Sequence, residues 1–149
     1  MSEEARVADG RERRRFPRVS LELKVGYELA HWKEDDPAAV HHPVYVRTRD
    51  VSLGGVGLAD VIHIDRHAFH QLLTGKRKVR LEIHLPGREE PLYCFARLVW
   101  GHEPEGDVVR RAGFAFIDVS PLFFHELSSF IEAHLSGKAS HGERQGSGE

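Results

Sequence analysis

The chain has 149 residues, 40% of them hydrophobic, with 21 Lys and Arg against 23 Asp and Glu. That is one domain's worth of sequence with enough apolar material for a real core, and a pI near 6.6 excludes a general polyanion binder and disfavours duplex DNA as partner. The single cysteine, Cys94, excludes an internal disulfide, and without a signal-type apolar run or a stretch of about eighteen apolar residues, a soluble, cytoplasmic protein with no membrane insertion is expected.

Residues 1–10 are polar and acidic and are expected to form a flexible leader. Residues 11–20 follow as an arginine arm, with Arg13, Arg14 and Arg15 adjacent and Arg18 beyond Pro17. A guanidinium is planar, permanently charged and carries five donors in a fork that fits phosphate oxygens or the O6/N7 edge of guanine. Pro17 forbids a helix here and biases Phe16 towards an extended backbone. A solvated basic tail would have the same composition.

From Leu21 the chain alternates Leu21, Leu23, Val25, Tyr27 and Leu29 with Glu22, Lys24, Gly26 and Glu28, the pattern of a half-buried strand. His31 to Pro43 reads as a loop into an antiparallel strand that holds Val44, Val46 and Val51. On that strand Asp50 and Ser52, two apart, would point the same way and serve one ligand or one arginine. Gly54, Gly55 and Gly57 then admit positive φ or a close backbone approach to an anion, although a plain strand-turn-strand also accounts for them.

A third strand is expected over Val56 to Val61, and a short helix or turn over Asp65 to Leu73, closed by Thr74 and Gly75. Val79, Leu81, Ile83 and Leu85 alternate with Lys78, Arg80, Glu82 and His84 in a further strand, stopped by Pro86-Gly87. Leu92 to Trp100 is more uniformly apolar, as for a strand at least partly covered on both faces, and Arg110 to Ile117 supplies another. Residues 21–117 thus predict an antiparallel sheet closing into a small barrel, which removes exposed edges. Over 120–136 Ser120 is placed to cap a helix with Pro121 at its first position. Phe123, Leu127, Phe130, Ile131 and Leu135 recur at helical spacing, Gly137 is the expected end, and 137–149 is a Gly/Ser-rich tail expected to be disordered.

Other chemistry finds little footing. His63, His67 and His70 are spaced i, i+4, i+7, but nothing completes a ligand set, so no metal and no cofactor is expected. No histidine is placed to serve Asp50 and Ser52, and neither a Gly-x-Ser-x-Gly nor a phosphate-binding glycine loop occurs, so no enzyme is expected. Trp100 continues the row of Cys94, Ala96 and Leu98 and reads as core or barrel rim, with stacking on a base as the alternative.

Arg14 and Arg18 form Arg-x-x-x-Arg, and Asp50, Ser52 and Gly55 form Asp-x-Ser-x-x-Gly some tens of residues later. With the flanks Ala96 to Trp100 and Gly113 to Phe116, residues 11–136 resemble the PilZ domain family. The resemblance implies a mainly β fold, a small six-stranded, Greek-key-like antiparallel barrel with a C-terminal helix packed on it. It also implies a receptor for cyclic di-GMP, with Arg13, Arg14, Arg18, Asp50, Ser52 and Gly55 binding the ligand. The arm would order on binding, and with no output domain read in the chain, the signal is expected to pass to a separate protein. Two other readings stand beside it. One is an adaptor of the same fold that binds no nucleotide; the other is a single-stranded nucleic-acid binder using the arm.

Overall fold

Period-two alternation becomes a closed sheet in the computed structural model, which describes residues 16–39 and 42–146. The elements are β1 (Val19–Ser20), β2 (Lys24–His31), β3 (Val44–Val51), β4 (Gly55–Leu58), β5 (Ile62–His63), α1 (Arg66–Leu73), β6 (Arg77–His84), β7 (Leu92–Trp100), β8 (Val108–Val109), β9 (Gly113–Ile117) and α2 (Pro121–Gly146). Six strands follow the order β3-β2-β6-β7-β9-β4, and β4 pairs back onto β3. Every pairing is antiparallel. β2 beside β6 and β9 beside β4 are far apart in sequence, as in a Greek-key-like order. β1 lies outside the ring and pairs with β3 through Val19↔Val51 and Ser20↔Asp50. β5 and β8 form a separate two-stranded ribbon.

The inward side chains fill the barrel. Val25, Val51, Val56, Leu58, Leu81, Ile83, Ala96 and Leu98 are fully or almost fully buried, and α1 adds Ala68, Phe69 and Leu72. Asp65 caps α1 by accepting from the Ala68 amide at 2.8 Å, and Gly75 leaves it with φ 79°. Ser120 caps α2 by accepting from the Phe123 amide at 3.1 Å. Phe123, Leu127 and Ile131, about one turn apart, close the core from α2, with Phe123 edge-on to Phe116.

Three expectations are corrected. The strand expected over Val56 to Val61 is β4, which begins at Gly55 and already ends at Leu58, because Ala59 and Asp60 turn to Arg47: the Ala59 amide donates to the Arg47 carbonyl, and Asp60 accepts from the Arg47 amide. The helix does not stop at Gly137 but runs to Gly146, into the segment expected to be disordered. Glycine weakens a helix interior by roughly 1 kcal/mol yet ends one only where it turns left-handed, which Gly137 does not. Finally, the outward face of β6 is not solvated: Lys78, Arg80 and Glu82 are buried. Neighbouring strands and the β2–β3 loop cover them: Arg80 pairs with Glu28 of β2 at 2.6 Å and with Glu34 of the loop, Lys78 donates to the Glu34 carbonyl at 2.5 Å, and Glu82 accepts from the Tyr45 hydroxyl of β3 at 2.8 Å.

Candidate ligand-binding site

Two rows of residues run across β3, β4, β9 and β7. The inner row is Val51, Val56, Phe114 and Leu98, all core. The outer row is Asp50, Gly57, Gly113 and Trp100, each the cross-strand partner of the next. Register shifts produce it. One lies between Thr48 and Asp50 on β3, another between Leu98 and Trp100 on β7. Thr48 and Leu98 face inward and are buried, so simple alternation would put Asp50 and Trp100 inside as well. An extra residue in each strand flips them outward. Trp100 is therefore not a continuation of the Cys94, Ala96, Leu98 row but a half-buried rim residue on the opposite face.

The glycines act differently from the sequence expectation. None of Gly54, Gly55 and Gly57 has positive φ. Gly55 does serve a close approach, but of β9: a Cβ there would sit 2.1 Å from the Phe114 carbonyl oxygen. A Cβ on Gly57 would sit 2.8 Å from Asp50 Oδ1 and 3.1 Å from Arg49 Nη2, and one on Gly113 would sit 2.2 Å from Trp100 Cε2. Gly57 and Gly113 are thus a floor of bare backbone across which the longer side chains lie.

Charge concentrates at one end of that floor. Asp50 Oδ1 takes the Arg18 guanidinium, and Oδ2 takes Arg49 Nε at 3.2 Å. Arg49 also lies over the Trp100 ring, 5.5 Å from its centroid, within cation–π range. The Asp50 side chain keeps 16% of its exposure, against 30% for Arg18 and 42% for Arg49, so the cluster is partly wet and open to an incoming anion.

Ser52 lies one residue beyond β3 and is 3% exposed. Its hydroxyl accepts from the Gly54 amide at 3.1 Å and reaches the Gly55 carbonyl at 3.5 Å, holding its own turn. Among the described residues Asp50 and Ser52 therefore do not share a partner. Phe16 packs over that turn, with a ring carbon 3.3 Å from a Cβ placed on Gly54.

Of the residues singled out in the sequence, Arg18 and Asp50 are in contact, and Ser52 and Gly55 form the adjoining turn. Arg13 and Arg14 lie outside the described residues. Sequence reasoning named Gly57 with its neighbours but gave Arg49 no role and missed Gly113 as a member of the patch; the signal for Gly113 is the cross-strand register, which no linear spacing carries. His63 lies in β5 while His67 and His70 lie in α1, so the three do not share a helix. Among the described residues no group of three or more His, Cys, Asp or Glu is gathered for a metal.

The sequence profile of the PilZ domain matches residues 12–133. No curated protein sequence matches the chain. Among solved structures, the inhibitor of motility MotI/DgrA of Bacillus subtilis is similar with a TM-score of 0.53 and 16% identity, over 83% of this chain and 52% of that one. YcgR of Escherichia coli in complex with c-di-GMP gives 0.53 and 18%, over 89% of this chain and 50% of that one. The PilZ domain of YcgR with c-di-GMP gives 0.51 and 20%, over 89% of this chain and 98% of that one. The chain thus spans about half the length of the two longer proteins and nearly all of the isolated domain. At these identities the structures establish the shared fold, and the profile match over most of the chain establishes that it belongs to the PilZ domain family.

Proposed function

We propose that this protein is a cytoplasmic receptor for cyclic di-GMP that binds rather than transforms its ligand and passes the signal to a separate protein. The observation that carries the reading is the Arg18–Asp50 ion pair, which joins the two halves of the signature across 32 residues of sequence. Solved YcgR structures that hold c-di-GMP share the fold, which supports the choice of ligand.

The ligand has two phosphates and two guanine edges. In this reading Arg14 and Arg18 fork onto a phosphate and a guanine Hoogsteen edge, and Arg13 adds a further contact. Asp50 accepts from guanine N1 and N2 donors or holds Arg18 in position. Ser52 holds the turn and offers its remaining hydroxyl capacity to the ligand. Gly55 keeps β4 tight against β9 so that the turn does not move. Trp100 presents a flat aromatic face once Arg49 swings to a phosphate.

Ordering of the arm supplies the switch. Each charge-assisted bond contributes roughly 1.5–3 kcal/mol net, while each ordered backbone residue costs about 1–2 kcal/mol, so several contacts must form together. Bound and free protein then show different surfaces to a partner. The test is calorimetric titration of the whole chain with cyclic di-GMP, together with amide spectra of residues 7–21. Saturable heat, loss of affinity in Arg14→Ala and Arg18→Ala, and shifts in the arm are expected. Absence of heat with the parent chain, or unchanged affinity in both variants, overturns the assignment and favours a nucleotide-free adaptor.

A further inference from the structure

A second concave site lies on the outer face of the barrel at the other end of β7 and β9. It is a cleft of about 480 Å³, within the size range of specific small sites. Trp32 forms one wall and Tyr93 and Phe95 another, with Val119 and Ser120 at the end of β9 and Lys78 below. Trp32 keeps 55% of its exposure although it is the largest apolar side chain here, and tryptophan left open on a surface is the residue type most enriched at binding hot spots.

The charges inside the cleft are already used. Lys78 is 8% exposed, lies 3.7 Å over the Phe95 ring and 5.3 Å from that of Trp32, and donates to the Glu34 carbonyl. Glu34 itself pairs with Arg80. What remains at the lip is mostly acidic. Asp35 and Asp118 line the cleft, are exposed, and make no ion pair among the described residues; Asp36 follows Asp35, and Lys33 is the one cation beside them. Asp118 is held at φ 47°, a left-handed conformation that a non-glycine residue adopts at a cost. Two unpaired carboxylates thus flank an aromatic hollow whose own cation is engaged below.

We infer that this cleft is the docking site for the downstream partner, and that it takes a segment of a separate protein with an aromatic or aliphatic anchor flanked by Arg or Lys. The anchor packs on the exposed Trp32 ring, above the Lys78 ammonium that covers Phe95, and the cations meet Asp35 and Asp118. An acidic segment meets repulsion at the same lip. The cleft and the Asp50–Trp100 patch lie on one face, separated along β7 by the five residue steps from Phe95 to Trp100, about 17 Å of strand. Both can therefore be occupied at once. The inference does not depend on which nucleotide, if any, the patch binds.

Selection from a random dodecapeptide display library against the whole chain tests it. Enriched peptides are expected to combine an aromatic or leucine with adjacent basic residues. As synthetic peptides they should bind the Asp35→Asn/Asp118→Asn and Trp32→Ala variants about tenfold or more weakly, while thermal midpoints match the parent. Failure to enrich any peptide, enrichment without a basic excess, equal binding to the variants, or amide shifts centred on Arg18 and Asp50 each overturn it.

Discussion

Asp50→Asn isolates the charge at the centre of the patch while keeping the side chain's size and one accepting oxygen. Its effect on folding should be small. Asp50 sits between two partly exposed guanidiniums, and such pairs contribute about 0–1 kcal/mol each. The effect on cyclic di-GMP has two opposed parts. Losing a charge-assisted bond, directly or through a misplaced Arg18, costs roughly 1.5–3 kcal/mol. Removing a negative charge about 8 Å from two phosphates returns about 0.5 kcal/mol for each in water, less with salt. The loss wins, leaving a deficit of about 0.5–2 kcal/mol, or roughly a two- to thirty-fold weaker Kd. Because salt screens only the compensating part, the deficit should grow between about 0.05 and 0.3 M salt. Calorimetry at both salts, with a thermal scan of the variant, measures every part of this. Equal or tighter binding at the higher salt refutes the role given to Asp50. A collapse of the thermal midpoint would instead make the residue structural.

Gly55→Ala should destabilise the barrel by about 1–3 kcal/mol, since its Cβ would meet the Phe114 carbonyl oxygen at 2.1 Å and neither backbone can yield. Gly54→Ala, which meets only the Phe16 ring edge at 3.3 Å, should cost less; denaturant titration of the pair checks the order. Gly113→Ala should displace the Trp100 ring with little change in stability but a loss of ligand affinity, read by Trp100 fluorescence in a Trp32→Phe background. Burial pushes the Cys94 thiol well above its ordinary range. The folded state therefore keeps this proton when the unfolded chain releases it: the contribution is intact below about pH 8.5 and declines as pH rises, by up to about 1.4 kcal/mol per unit. Stability of the parent should fall faster than that of Cys94→Ala above that pH; parallel curves would refute the assignment.

Much of the fold is legible in the chain because burial imposes its period directly. The alternation around Val25 and Leu81 gives β2 and β6, and Ser120-Pro121 with Phe123, Leu127 and Ile131 gives the start and inner face of α2. What escapes is whatever depends on a neighbour's register. In the sequence Trp100 stays undecided between core and rim because the residue inserted before it is visible only against β9, and Gly113 acquires its meaning only opposite Trp100. The same holds for the polar face of β6. Arg80 and Glu82 look solvent-facing until Glu34, from a distant loop, pairs with Arg80 and the Tyr45 hydroxyl donates to Glu82. The two signature halves were legible as chemistry; that Arg18 reaches Asp50 follows from β1 pairing with β3, a contact between residues far apart in the chain.

The two glycine roles separate folding from binding in this barrel. Gly55 belongs to the fold, since a side chain there strikes backbone that has nowhere to go. Gly57 and Gly113 belong to the patch, since what a side chain would strike is the Asp50 carboxylate and the Trp100 ring, both able to move. Glycine weakens a strand, so two in adjacent positions are a standing cost unless the space they leave is used. Across β3, β4, β9 and β7 that space is a row about 14 Å long, three strand spacings from Asp50 to Trp100, over which the Asp50 and Arg49 side chains cover Gly57 and the Trp100 ring covers Gly113. Its floor is flat backbone, one end is ionic and the other aromatic. A planar base with a charged backbone beside it matches both ends, whereas a purely apolar or a purely anionic ligand would leave one of them unused.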